Sequence, residues 1–313
     1  MISRDDVVAA AGTIRGRLHR TPVFGSATLA AQVGAPVHLK AELFQRTGSF
    51  KPRGVLNKLA SLSGEEKARG VIGISAGNHA QALAWAAASE GIDALLVMWR
   101  GADEAKMAAT RGYGAEIDLE AGDPAEAFDR LHELIEQTGR TLVHPFDDPL
   151  VVAGQGTVGL ELAEDVPELE LVLVPVGGGG LVGGIAAAVD ARVVAVEPER
   201  SAALHEALAA GAPVPVAPES IADGLNAPFA GELPVAICVA RGVESVLVSE
   251  EEIEAAMRFV YGRVKLACEP AGAAGVAALL AGKVGLDGSA SVGVVVSGGN
   301  VSAEKASAIL GRG

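Results

Sequence analysis

The run "LVLVPVGGGGLVGGIAAAV", residues 171–189, carries no charge and is long enough to suggest a membrane span. Pro175 and six glycines would ruin such a helix, so the run divides differently. Residues 171–176 read as a buried strand, 177–180 as a tight turn, and the rest as the start of a helix. That reading sets the fold class, because the same strand–turn–helix grammar recurs along the chain.

Upstream, "VHLKAE" (37–42), "VIGIS" (71–75), "ALLVMW" (94–99), "AEIDL" (115–119) and "TLVHP" (141–145) read as strands. Downstream, "RVVAVEP" (192–198), "ESVLVS" (244–249) and "SVGVVVS" (291–297) follow the same pattern. These runs are apolar throughout instead of alternating, as expected for strands covered on both faces. Helical patterns lie between them. "NHAQALAWAAASEG" puts Ala80, Leu83, Ala84 and Ala87 on one stripe and stops at Gly91. "SEEEIEAAMRFVYGRVKLA" opens on Ser249 as N-cap, with acids in its first turn. The βαβα order predicts an α/β protein of two doubly wound open-sheet domains. Residues 71–145 are expected to form the smaller domain, and 1–70 to join 146–313 in the larger one. Ligands of such sheets sit beyond the C-terminal ends of strands.

Composition agrees with a large buried core. Half of the 313 residues are apolar, 20% are charged and only 4% are aromatic, so alanine, valine, leucine and glycine must fill it by close packing. The net charge of −14 argues against nucleic acid or an anionic membrane as partner. Cys238 and Cys268 make no disulfide framework and have no metal-ligand spacing, so both read as core residues. The N-terminus is charged and lacks the apolar block of a signal peptide, which suits a cytoplasmic protein.

Four turns could carry chemistry. In "TGSFKPRG" (47–54), Pro52 fits the first position of a helix and is expected to hold Lys51 extended. The helix N-terminus and an apolar wall from Phe50 would both favour a neutral Lys51 amine, the form that Schiff-base chemistry needs. A solvated lysine near a helix start is the plain alternative. Gly177, Gly178, Gly179 and Gly180 could wrap a phosphate with backbone amides at a helix N-terminus. Gly178, Gly180 and Gly183 also satisfy a dinucleotide fingerprint, with Glu197 as the distal acid. "SAGNHAQA" (75–82) could hold a carboxylate through Ser75, Asn78 and local amides, or simply cap a turn. Ser297, in "VVVSGGN", could direct its hydroxyl at a ring nitrogen or cap its own turn.

Taken together, the chain resembles the fold type II pyridoxal-phosphate enzymes, in the threonine/serine dehydratase and serine racemase group. The resemblance runs through "RTPV", "LFQRTGSFKPRG", "SAGNHAQALAWAA", "HPFDDPLVVAGQGTVGLEL", "VPVGGGGL", "IADGL", "CEPAGAAGVAAL" and "SGGN", in that order. It implies the architecture of the tryptophan synthase β-subunit and pyridoxal 5'-phosphate as cofactor. By that resemblance Lys51 would link covalently to the cofactor aldehyde, Phe50 would lie against its ring and Asn78 would meet its 3′ oxygen. Gly177, Gly178, Gly179 and Gly180 would hold the phosphate, and Ser297 the ring nitrogen. Ser75, Asn78 and His79 would belong to the loop receiving the substrate carboxylate.

The implied reaction is β-elimination from L-threonine or L-serine, giving 2-oxobutanoate or pyruvate plus ammonia, in a homodimer. A larger β-hydroxy amino acid, such as hydroxyaspartate or phenylserine, is the nearest alternative, with "DGLNAPF" (223–229) facing its side chain. Serine racemase, a nicotinamide-dependent oxidoreductase and a non-catalytic binding protein are further alternatives. Racemases of the group carry a serine where this chain has Ala76, and Phe146 also matches the dehydratases. Some relatives bind a metal through a Glu, a carbonyl and an Asp. This chain has Glu197, Ser201 and Ala203 there, so no metal requirement is expected. Ending at residue 313, the chain is expected to lack a regulatory C-terminal domain and isoleucine feedback.

Overall fold

The computed structural model describes residues 1–312 apart from 103, 287 and 289. The chain opens with α1 (Arg4–Ile14), β1 (Val23–Gly25), α2 (Ala27–Val33), β2 (Val37–Ala41), α3 (Pro52–Ala60) and α4 (Gly64–Arg69). Next come β3 (Val71–Ile74), α5 (Asn78–Glu90), β4 (Ala94–Trp99), α6 (Glu104–Gly112), β5 (Glu116–Ala121), α7 (Pro124–Thr138) and β6 (Thr141–Leu142). After α8 (Pro149–Asp165) follow β7 (Leu169–Pro175), α9 (Gly180–Ala188), β8 (Arg192–Pro198), α10 (Ala203–Ala210) and α11 (Glu232–Arg241). The chain finishes with β9 (Glu244–Val248), α12 (Glu250–Phe259), α13 (Pro270–Leu280), β10 (Ser291–Val296) and α14 (Ala303–Leu310).

Two sheets result. The larger has the order β1-β2-β10-β7-β8-β9, and the smaller β5-β4-β3-β6. Among the described residues every strand pairing is parallel except β1 with β2. Helices cover both faces, which explains the unbroken apolar runs: β3 and β10 are buried at every position. Among the described residues, no helix is long and apolar enough to cross a membrane.

Three local details depart from the sequence reading. The edge strand β1 has only three residues, too few for any periodicity to register. The run at 141–145 pairs as a strand only over Thr141–Leu142. Beyond it the Val143 amide still bonds the Ile72 carbonyl, but the His144 ring accepts the Phe146 and Asp147 amides and turns the chain away. The helix from Ser249 has its expected N-cap, completed by Glu252 into a capping box, yet α12 stops at Phe259 in a π turn closed by Lys265 at φ 67°.

Small residues do the close packing. α13, "PAGAAGVAALL", is almost wholly buried, and Gly275 admits the Val294 side chain from β10. α8 packs against α3 on one side and α9 on the other, with glycines at both crossings. Cys238 and Cys268 are free and buried in the core.

Candidate active site

The C-terminal ends of β7 and β10 and the starts of α3, α5 and α9 converge on one cleft. Phe50, Lys51, Asn78, Gly177–Gly180 and Ser297 all line it.

Lys51 caps α3 with Pro52 at the first helical position, but its backbone is not extended. At φ −53° and ψ −37° it is already helical. The Phe50 carbonyl accepts the Arg53 amide at 3.1 Å, so the turn begins one residue earlier than proline sterics alone suggest. The Phe50 amide bonds the Ser297 carbonyl at 3.1 Å, tying this turn to the end of β10. Lys51 Nζ donates to the Pro145 carbonyl at 2.8 Å and lies 5.2 Å from the Phe50 ring centroid. Burial pulls its pKa down from 10.5 to about 8, because a neutral amine suits this desolvated position better than an ammonium.

The glycine turn is shaped by its neighbours. Gly179 caps α9 in the left-handed region, φ 90°, where a side chain would be strained. A Cβ on Gly178 would run into the Phe146 ring, and one on Gly180 would come 2.9 Å from the Phe146 carbonyl oxygen. Bare amides at a helix N-terminus are what remains, a cradle for an anion. Gly184 serves packing instead. Its Cβ would meet the Gly156 nitrogen at 2.5 Å, so it sets the contact of α9 with α8. Glu197, the acid of the dinucleotide alternative, is buried and caps α10, accepting the Leu204 amide at 2.7 Å and the His205 amide at 2.8 Å.

Ser75 follows β3, and its hydroxyl accepts the Gly77 amide at 3.0 Å. Asn78 opens α5 and faces the cleft. His79 does not: only 2% exposed, its Nε2 lies 2.9 Å from the Val143 carbonyl. Burial, then the nearby Lys51 charge, pushes its pKa to about 3, so its ring stays neutral and lies against β3. Only its backbone amide remains for a ligand at the α5 N-terminus.

Two features were not singled out from sequence. Glu269 lines the cleft at the N-cap of α13, a position where serine, threonine, asparagine or aspartate is usual, and that mismatch was the available clue. Arg53, two residues past Lys51, is fully buried between two carboxylates. It meets Glu42 at 2.8 Å through Nε and through one terminal nitrogen, and Glu161 at 2.7 and 2.8 Å. Among the described residues no group of three or more histidine, cysteine or acidic side chains is placed to hold a metal ion.

A desolvated amine, an anion cradle that excludes side chains, and the Ser297 hydroxyl in one cleft fit a phosphorylated aldehyde with a heteroaromatic ring. Comparison with known proteins agrees. The family described as pyridoxal-phosphate dependent enzyme matches residues 14–298. An L-threonine ammonia-lyase of Thermotoga maritima is 41% identical over 319 residues, covering 100% of this chain and 79% of that relative. Among solved structures, maize serine racemase superposes with a TM-score of 0.92 at 36% identity, covering 96% of this chain and 94% of that one. A T.th. threonine deaminase gives 0.89 at 39% identity, covering 96% and 99%. On its cleft and on these likenesses alike, the chain belongs to the pyridoxal-phosphate dependent enzymes.

Proposed function

We propose that this protein is a pyridoxal 5'-phosphate-dependent ammonia-lyase that dehydrates L-threonine and L-serine to 2-oxobutanoate and pyruvate. The observation carrying the reading is Lys51, a buried amine with a pKa near 8 in the cleft that also holds the glycine cradle. The names of the Thermotoga ammonia-lyase and the T.th. deaminase support the same reaction class.

When bound, the cofactor supplies an electron sink for the charge that develops at Cα of an attached amino acid. The chain supplies the rest. Lys51 Nζ, free to be neutral near pH 8, takes the Cα proton as general base. Gly177, Gly178, Gly179 and Gly180 hold the phosphate by their amides, and the Phe50 ring walls the amine from water. Ser297 offers the ring nitrogen a neutral hydroxyl, which favours prompt loss of the β-hydroxyl over long-lived charge at Cα. Ser75, Asn78 and the first amides of α5, including that of His79, receive the substrate carboxylate. Ala76 has no proton to transfer, so elimination is favoured over racemisation despite the likeness to serine racemase. Residues 71–145 act as the small domain carrying the carboxylate loop, and 1–70 with 146–313 as the larger; the working unit is a cytoplasmic homodimer.

The test is an absorption spectrum of the protein loaded with cofactor, before and after L-threonine. A visible band that shifts as 2-oxobutanoate accumulates is expected. A band indifferent to threonine and serine would send the assignment to another amino acid.

A further inference from the structure

Glu269 is the N-cap of α13, yet its side chain makes no capping hydrogen bond. It is 1% exposed, lines the cleft, and its Oε2 has no hydrogen-bond partner among the described residues. Its other oxygen accepts from Asn78 Nδ2 at 2.7 Å. The neighbouring bonds leave no freedom in how this asparagine is turned. Asn300 Nδ2 donates to the Thr47 carbonyl at 2.7 Å, and a carbonyl can only accept. The same nitrogen lies 2.8 Å from Asn78 Oδ1, so the Asn78 nitrogen must face Glu269. An Nδ2 carries two hydrogens, and one remains for the cleft.

An ionised Glu269 would leave a charged oxygen buried and unpaired, which is costly. A neutral Glu269 accepts from Asn78 on one oxygen and carries its proton on the other. Burial first, then the Asp223 charge, raises its pKa from 4.5 to about 7, against opposing effects of Lys106, the Asn78 hydrogen bond and Lys305. Those residues come from the 223–225 turn, α6, α5 and α14. Cys268 is its buried chain neighbour, and Lys51 lines the same cleft.

We propose that neutral Glu269 and the second Nδ2 hydrogen of Asn78 form a two-donor site for an anionic oxygen of the molecule held in the cleft. The proposal deepens the reading above and rests on it. That oxygen belongs either to the cofactor ring or to the substrate carboxylate, and one pair of readouts tells them apart.

The experiment compares the cofactor-loaded wild type with Glu269→Gln and Glu269→Ala between pH 6 and 9. It follows the visible band without substrate, and KM and kcat for L-threonine. The wild type loses the donor as pH rises through about 7, so a transition is expected there. Glutamine keeps an acceptor and a donor and cannot ionise, so it abolishes the transition and holds the low-pH behaviour. Alanine gives high-pH behaviour throughout, with at least about a tenfold loss of affinity for the ligand concerned. A transition in the substrate-free band assigns the oxygen to the cofactor, and one confined to KM assigns it to the substrate. A wild type without a transition, or a glutamine variant that titrates like the wild type, overturns the proposal, even if the alanine variant fails to fold. A protein with a visible band but no turnover of hydroxy amino acids would refute the ammonia-lyase reading alone, since the band titration still reads the cofactor arm.

Discussion

Gly154 and Gly54 meet backbone to backbone: a Cβ on Gly154 would lie 2.5 Å from the Arg53 carbonyl oxygen and 2.6 Å from Gly54 Cα. α8 thus seats the helix that begins at Lys51. Two residues along, Gly156 seats α9, which begins at the glycine cradle, through its contact with Gly184. One helix therefore sets the spacing of amine and anion cradle, and this is a packing property before it is a chemical one.

Gly154→Ala must push α3 and α8 apart against backbone atoms that cannot yield cheaply. A loss of about 1–3 kcal/mol in urea unfolding is expected, with weaker cofactor retention on dialysis. Gly12→Ala is the control: it lies inside α1 with nothing within 4 Å of its Cβ. It should gain about 0.5–1 kcal/mol, because alanine loses less backbone entropy in a helix. Equal effects at the two positions would contradict the packing argument.

Arg53→Met leaves Glu42 and Glu161 facing each other without the guanidinium that both engage. Lys40 Nζ, 2.7 Å from Glu161, offsets only one of the two charges. Breaking a buried ion pair from one side costs about 3–5 kcal/mol. The unfolding midpoint in urea should fall accordingly, and a loss below about 1 kcal/mol would mean that water reaches this cluster.

Capture of an aldehyde needs the neutral form of the Lys51 amine. Because burial lowers its pKa to about 8, that form is scarce at pH 6 and dominant at pH 9. The rate at which protein stripped of cofactor regains its visible band should therefore rise through about pH 8 and level off. An ordinary lysine would give a midpoint near about pH 10.4. His79 and His144, which burial holds at about 3 and about 4, add no step of their own above pH 6. Stopped-flow mixing across this range checks the midpoint.

Much of the architecture was legible because each core strand is a continuous apolar run ended by a polar or glycine turn, as at Ser75, Gly177 and Ser297. Those turns also carry the residues that meet in the cleft. What escaped was pairing across sequence distance. Nothing in the local pattern couples Arg53 to Glu161, 108 positions away, or Asn78 to Glu269, 191 away. Side-chain direction escaped too: His79 stands next to Asn78 but turns away from the cleft to meet the Val143 carbonyl. The helical backbone of Lys51 comes from the Phe50–Arg53 turn, which overrides the extended preference before proline.

The claim on which the rest depends is that Lys51 binds the cofactor covalently. Borohydride reduction of the loaded protein, followed by digestion and peptide mass mapping, tests it directly. A single pyridoxyl-phosphate adduct is expected on the peptide containing Lys51, with no adduct and a loss of at least about a hundredfold in turnover in Lys51→Ala. An adduct on another lysine, or full activity of the alanine variant, would contradict it.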